Sequence, residues 1–109
     1  MEKVTDIKLC RKYQQLHDSA KSRGIHFNLT LSHLRKLMNR KTCYYTGIRL
    51  TKSGEHFRSI ERIDSNKGYT NENTVAVSHR INVAKDNLTE KELKLILKAI
   101  QKHKQSMNK

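Results

Sequence analysis

The chain has 109 residues, which is enough for one domain with one modest hydrophobic core. Its 23 lysine and arginine residues outnumber 10 acidic residues, and the resulting formal net charge of +13 favours a polyanionic partner such as nucleic acid. No apolar run approaches the roughly 20 residues that span a bilayer, and no hydrophobic signal segment follows Met1. We therefore expect no membrane partner and a cytoplasmic location.

The N-terminal region, residues 1–42, is predicted to form two helices. In the first, from Val4 to Arg23, apolar residues recur at the spacing of one helix face: Leu9, Tyr13, Leu16 and Ala20. Gly24 is typical of the residue that follows a helix C-terminus. After an extended stretch, Thr30 or Ser32 can cap a second, shorter helix.

The middle region, residues 43–86, has the pattern of a compact ββα unit. Residues 59–64 and 74–77 suit two strands with a turn-rich loop between them. Ser78 then can cap a short helix that runs to Asp86.

Ahead of the two strands, residues 44–50 combine strand formers with Gly47 and suit a tight hairpin or a strand with a turn. The sequence as a whole therefore predicts a single α+β domain. In it, a finger with a short β-hairpin at residues 43–86 lies between the helical region 1–42 and a C-terminal helix and tail at residues 87–109.

The C-terminal helix carries clear start and periodicity signals. Thr89 and Glu92 have the T-x-x-E spacing of a capping box, and the polar tail starts at Lys102. Leucine and isoleucine recur on one face: Leu93, Ile96, Leu97 and Ile100. We expect the first three of these residues, with Leu16, to pack against the finger.

The middle region resembles the HNH (His-Me finger, ββα-metal) endonucleases, and most closely a small phage-encoded subset of them. The similar motifs are CYYTG at 43–47, SIERID at 59–64, KGYT at 67–70, Asn73, and Asn82 with Lys85. The resemblance implies a ββα-metal finger in a nuclease that hydrolyses phosphodiester bonds of DNA, with RNA as a variant substrate.

The resemblance also implies a metal site. It places one divalent ion, Mg²⁺ or Mn²⁺, between Glu61 and Asn82, since oxygen ligands suit these ions. Asp64 is implied as an auxiliary ligand or as a partner of the ligands. Asn73 corresponds to the asparagine that ties the loop and orients the general base in the family.

Two departures from the family pattern concern zinc and the base. The larger relatives brace the finger with two CxxC pairs, and the corresponding residues here are Cys43, Thr46, Ser78 and Ile81. With Cys10 as the other cysteine, a four-thiolate site is impossible, so no structural zinc is expected.

The second departure is Arg62, which stands where the family's general-base histidine follows the metal-binding acid. An arginine cannot accept a proton at neutral pH, although its guanidinium can clamp a phosphate. Three interpretations are open. His56 or His79 is the base instead, or Arg62 only binds phosphate, or catalysis is lost and a binding module remains.

The expected partner is double-stranded DNA, bound through basic residues around the finger. They are Arg58, Arg62, Lys67, Arg80 and Lys85. Two functions of different classes are thus predicted. One is a metal-dependent endonuclease that nicks or cleaves DNA, and the other is an inactive finger that binds DNA or a host protein. A monomer and a homodimer are both compatible with the sequence.

Overall fold

The computed structural model describes residues 3–107, within which the chain forms four helices and two strands. Their bounds are α1 Asp6–Ser22, α2 Leu31–Met38, β1 Arg58–Arg62, β2 Thr74–Ser78, α3 His79–Lys85 and α4 Glu90–Met107. The predicted α+β class, with a ββα unit between flanking helices, is confirmed. No helix in the described part of the chain is both long and apolar enough to cross a bilayer.

Helix α1 buries the apolar stripe that the sequence predicts. Leu9, Leu16 and Ala20 lie in the core. Thr5 caps the helix by accepting a backbone N–H of the first turn at 3.3 Å. Gly24 follows the last turn with a φ of +65°, in the left-handed region that glycine adopts without strain.

Thr30 is the N-cap of α2. Of the two residues predicted as caps, Thr30 and Ser32, the structure therefore selects Thr30. Its hydroxyl accepts a hydrogen bond from the His33 N–H at 3.1 Å. Leu34 and Leu37 are buried and pack α2 against α1 and both strands. The short helix therefore closes one side of the core.

Strands β1 and β2 form an antiparallel pair. Ser59 pairs with Val77 and Glu61 pairs with Val75. Because directly opposed residues share a face, these four side chains lie on one side of the sheet. Every residue of β2 is buried, whereas in β1 only Ile60 is buried and the rest are half-buried. Strand β1 thus presents polar side chains at the edge of the core.

The loop between the strands packs against the extended segment that follows α1. Phe27 and Tyr69 form a parallel bridge. The Tyr69 N–H donates to the His26 carbonyl at 2.8 Å, and the Tyr69 carbonyl accepts from the Asn28 N–H at 2.8 Å. A Cβ atom at Gly68 would lie by the backbone of His26, 2.4 Å from its carbonyl oxygen. The glycine of the KGYT motif is therefore required by the close approach of two backbone segments.

A short β-hairpin precedes β1, as predicted for residues 44–50. Thr42 and Arg49 form an antiparallel bridge. Between them the chain turns at Gly47, whose φ of +73° again lies in the left-handed region.

Helix α4 begins at the predicted capping box. The Thr89 hydroxyl accepts from the Glu92 N–H at 3.1 Å, and the Glu92 carboxylate accepts from the Thr89 N–H at 3.0 Å. The helix continues to Met107, so the predicted tail from Lys102 is helical as far as that residue. Residues 108–109 lie outside the described residues.

Most of the apolar stripe of α4 is exposed and does not pack against the finger. Ile96, Leu97 and Ile100 are about half exposed, and no other helix or strand in residues 3–107 contacts α4. The prediction is therefore wrong for Ile96 and Leu97, whereas Leu93 is half-buried and its packing stays a prediction. Leu16, the partner predicted on α1, does belong to the core.

Candidate active site

Glu61 lies near the end of β1 with its carboxylate held from within the strand. The Ser59 hydroxyl donates to Glu61 Oε1 at 2.6 Å, and both residues are half-buried. Residues two apart in a strand share a face, so the spacing of Ser59 and Glu61 in the sequence could have predicted this contact. The resemblance to the HNH endonucleases gave no role to Ser59. The hydrogen bond fixes the orientation of the carboxylate.

Asn82 lies on α3, and α3 is tied at both ends to residues that flank β1. The His79 N–H donates to the Phe57 carbonyl at 2.9 Å. At the other end the Lys85 ammonium donates to the Ile63 carbonyl at 3.2 Å. Helix α3 therefore runs alongside β1 from its start to its end, and half-buried Asn82 lies between the two ties.

The donor groups of Glu61 and Asn82 fit a hard divalent cation. They offer a carboxylate and an amide oxygen, the ligands that Mg²⁺ and Mn²⁺ prefer. Within residues 3–107 no three His, Cys, Asp or Glu side chains gather as a ligand set. A site with these two protein ligands would take its other ligands from water.

Asn73 is a buried residue that holds the loop between the strands. Its Oδ1 accepts from the Asp64 N–H at 2.9 Å, and its Nδ2 donates to the carbonyls of Asp64 at 3.1 Å and Gly68 at 2.8 Å. The side chain is 8 % exposed. It makes the bonds that a loop-tying residue needs and presents no free group to a substrate.

Asp64 takes part in the same loop. Its Oδ1 accepts from the Asn66 N–H at 2.9 Å, which forms a turn closed by the side chain. Its backbone carbonyl accepts from the Lys67 N–H at 3.1 Å. The structure therefore gives Asp64 a loop-forming role, and its part as an auxiliary metal ligand stays a prediction.

Arg62 also binds the loop. One terminal nitrogen donates to the carbonyls of Ser65 and Lys67, both at 2.8 Å. The guanidinium carbon lies 5.3 Å from the centroid of the Tyr69 ring, within the range of a cation–π contact. Because residues alternate along β1, Arg62 projects from the face opposite Glu61.

The two candidate histidines lie together near the start of β1. His56 is half-buried, and its Nδ1 lies 2.9 Å from the Ser78 hydroxyl. His79 is exposed and stacks on Phe57, with ring centroids 4.4 Å apart. Of the two, only His79 lies on the same helix as Asn82.

The predicted DNA-binding residues divide into exposed and engaged side chains. Lys67 and Arg80 are exposed. Arg58 donates to the Arg40 carbonyl after α2. Lys85 is 7 % exposed, with its ammonium on the Ile63 carbonyl and 5.4 Å from the centroid of the Tyr45 ring. The structure thus places Lys85 inside the finger instead of on the surface that would meet a phosphate.

The residues at the positions of the family's zinc-binding cysteines are joined by hydrogen bonds. The thiol of Cys43 is buried, which acts to raise its pKa. Hydrogen bonds from the Thr46 side chain and from the backbone of Ser78, Thr46 and Tyr45 outweigh the burial and lower that pKa below its ordinary value. The Ser78 hydroxyl in turn accepts from the Ile81 N–H at 3.4 Å. This arrangement links the short β-hairpin to the start of α3.

Two paired strands, a loop clamped by an asparagine and a helix tied along the first strand define a ββα finger of the HNH type. The fold is similar to that of the rare-cutting HNH restriction endonuclease PacI, which is described as showing an extraordinary mechanism of DNA perturbation. The TM-score is 0.61 over 93 % of this chain and 82 % of that one, at 23 % identity. At this identity the likeness establishes the fold. No protein-family model matches the chain.

The sequence is also similar to that of a phage protein. It is 33 % identical over 88 residues to an uncharacterized 29.0 kDa protein from the dda-modA intergenic region of Enterobacteria phage T4. The match takes in 79 % of this chain and spans 35 % of the length of that relative.

Proposed function

We propose that the chain is a metal-dependent HNH-type endonuclease that nicks or cleaves double-stranded DNA, encoded by a phage and acting in the host cytoplasm. The observation that carries the proposal is the placement of Glu61 near the end of β1, beside a helix that bears Asn82 and is tied along that strand. The similarity to PacI and to the phage T4 protein supports the enzyme class and the phage origin. The net charge of +13 supports a nucleic-acid partner.

In this proposal Glu61 and Asn82 hold one divalent ion, Mg²⁺ or Mn²⁺. When bound, such an ion supplies charge stabilisation for the phosphate and the leaving oxygen. The Ser59 hydroxyl keeps the Glu61 carboxylate in one orientation through its 2.6 Å hydrogen bond. Asn73 and Arg62 hold the loop that follows Glu61 and so fix the end of the strand.

His79 is the general-base candidate that the geometry favours. It is exposed and precedes Asn82 by three residues on α3, and residues three apart are neighbours on a helix surface. His56 lies on the loop before β1, is half-buried, and its Nδ1 lies 2.9 Å from the Ser78 hydroxyl, so its ring is engaged by the cap of α3. A neutral imidazole at His79 can take the proton of an attacking water molecule.

A second candidate function is a catalytically silent finger that binds DNA or a host protein. The observation that favours it is the guanidinium of Arg62, which cannot act as a base and whose terminal nitrogen is engaged by the loop. Such a module keeps the fold and the positive charge while lacking turnover.

Nicking of supercoiled plasmid in Mg²⁺ or Mn²⁺ tests the enzyme. We expect the wild-type chain to nick, a chelator to stop the reaction, and Glu61→Ala and Asn82→Ala each to abolish it. Glu72→Ala and Asn87→Ala remove the same chemical groups from exposed positions and serve as matched controls. Circular dichroism of each variant verifies that the helices are retained.

Three outcomes separate the possibilities. Nicking lost in both site variants and kept in both controls supports the site. Nicking that persists in Glu61→Ala and Asn82→Ala overturns the assignment of those residues. Absence of nicking in every divalent metal, together with salt-sensitive DNA binding, establishes the silent module.

The base is tested by His79→Gln against His56→Gln. General-base catalysis contributes about 100-fold to 10,000-fold, so the rate of His79→Gln is expected to fall by that factor at unchanged DNA affinity. We expect His56→Gln to act through stability, since its ring contacts the cap of α3. Equal rates for wild type and His79→Gln would remove His79 from the mechanism.

A further inference from the structure

Helix α4 projects from the rest of the molecule. No other helix or strand in residues 3–107 contacts it. The radius of gyration is 16.0 Å, against about 13 Å for a compact domain of this length, and the longest dimension is 56 Å. The start of the helix is joined to the finger by the Tyr44 hydroxyl, which donates to Glu90 at 3.3 Å.

One face of α4 is a row of lysines. They are spaced three, four and four residues apart, which keeps them on one side of the helix: Lys91, Lys94, Lys98 and Lys102. Each of them is exposed. These four residues form the lysine face.

The lysine face is not neutralised by the acidic residues of its own helix. Glu90 accepts from Tyr44, and Glu92 is occupied by the capping box with Thr89. Among the described residues, the ion pairs involve other side chains, on α1, α2 and the loop before β1. Four adjacent ammonium groups therefore face solvent without an acidic partner, an arrangement that attracts a polyanion.

We propose that the lysine face of α4 binds the phosphate backbone of duplex DNA, as a second contact surface beside the finger. The inference rests on the proposed function, because it takes the finger to act on DNA. Each Lys that neutralises a phosphate releases a counterion, so the surface adds affinity without sequence preference. DNA is favoured over an anionic membrane, since α4 carries no Trp, Tyr or Phe and the basic excess extends over the whole chain.

The test measures how DNA affinity depends on salt. A quadruple variant with Lys91, Lys94, Lys98 and Lys102 replaced by Gln keeps helix propensity and removes the four charges. The matched control replaces four exposed lysines outside α4 by Gln: Lys3, Lys8, Lys21 and Lys52. The probe is a labelled duplex of roughly 25 base pairs, which at 3.4 Å per pair exceeds the 56 Å length of the molecule.

The expected result is a change in the slope of log K against log salt. Four lost phosphate contacts reduce the slope by about 3 to 4 in the α4 variant, while the control changes it by less than about 1. Slopes that fall equally in both variants overturn the inference, since net charge alone then explains binding. The α4 variant is also assayed for plasmid nicking at low salt. We expect it to nick there, because the finger then acts without the phosphate contacts of the lysine face.

Other outcomes separate this inference from the proposed function. If wild type binds DNA and the α4 variant has the wild-type slope, the lysine face is not a DNA surface although the nuclease stands. If wild type binds no duplex DNA, the proposed function fails first. Anionic vesicles that bind wild type more tightly than DNA does, with loss of vesicle binding in the α4 variant, identify a membrane surface instead.

Discussion

The side-chain amide of Asn73 exchanges two hydrogen bonds with the backbone of Asp64. Its Oδ1 accepts the Asp64 N–H at 2.9 Å and its Nδ2 donates to the Asp64 carbonyl at 3.1 Å. The pair closes the loop that follows the strand of Glu61. The position of the candidate metal ligand therefore depends on a residue that needs no contact with substrate.

Asn73→Ala is expected to lower the free energy of unfolding by about 2 kcal/mol, because it leaves the Asp64 N–H and the carbonyl of half-buried Gly68 without the Asn73 side chain as partner. Chemical denaturation measures the change. Asn66→Ala, which removes an exposed amide of the same loop, is expected to change stability by less than about 0.5 kcal/mol. Equal effects of the two substitutions would contradict the role of Asn73.

Gly68 is required because a side chain there would clash with a neighbouring backbone, and Gly24 because its backbone is in the left-handed region. Substitution by Asn distinguishes the two reasons. Asn adopts the left-handed region, so Gly24→Asn, at a φ of +65° with open surroundings, is expected to be nearly neutral. Gly68→Asn forces its Cβ into the backbone of His26 and is expected to cost about 1–3 kcal/mol. Thermal melts compare them, and a wild-type melting temperature for Gly68→Asn would refute the packing argument.

Arg62 is expected to act on the loop more than on phosphate. Lysine cannot reproduce the two hydrogen bonds to Ser65 and Lys67 from one planar guanidinium, so Arg62→Lys is expected to lose about 1–2 kcal/mol of stability. Arg80→Lys, at an exposed position, serves as the control. A large fall in DNA affinity for Arg62→Lys with unchanged stability would restore the phosphate-binding interpretation.

Tyr45 and Tyr13 give opposite expectations for the loss of a hydroxyl. The Tyr13 hydroxyl donates to the Leu29 carbonyl at 2.9 Å, whereas the buried Tyr45 hydroxyl has no hydrogen-bond partner within residues 3–107. Tyr13→Phe is expected to cost about 1 kcal/mol, and Tyr45→Phe is expected to cost nothing or to stabilise. Denaturation of both variants at pH 8 checks the difference.

The raised pKa of Tyr45 predicts how stability falls at alkaline pH. Burial, with the nearby Glu90 carboxylate, Tyr44 and Cys43 adding to it, raises the pKa of Tyr45 from 10.0 to about 12. The unfolded chain therefore loses this proton first, and stability that is complete below pH 10 declines as the pH rises through about 12. Tyr45→Phe is expected to flatten this part of the profile, and an unchanged slope would count against it.

Thiol labelling is expected to separate the two cysteines. Cys10 is exposed on α1, and Cys43 is 3 % exposed. Although its hydrogen bonds lower the pKa of Cys43, a reagent cannot reach the buried sulfur. One thiol per chain should therefore react quickly in the native state and the second only after unfolding. Cys10→Ser should leave no fast thiol.

Elements with local signals were predictable from the sequence. The capping box of Thr89 and Glu92 and the cap at Thr30 depend on bonds within one helical turn, and both are found in the structure. The alternation of β1 likewise sets the side of the sheet that Glu61 occupies. Such features follow from residues that are neighbours in the chain.

Features that depend on distant partners were not predictable. Lys85 has the composition of a surface residue, and its burial follows only once Ile63 and Tyr45 are known to surround it. The amphipathic pattern of α4 indicates an apolar face and does not say what covers it, so the expected packing of Ile96 and Leu97 on the finger was wrong. The spacing of apolar residues along one helix does not indicate which distant residues that helix contacts.

The isolation of α4 has a thermodynamic consequence. A single helix of 18 residues is marginally stable in water, and unfolding α4 breaks no contact with another helix or strand in residues 3–107. Its amides should therefore exchange with solvent far faster than those of β2, through openings that leave the core intact. A polyanion that requires the helical form would have to supply the free energy of helix formation. Its affinity would then weaken on heating more steeply than phosphate contacts alone predict.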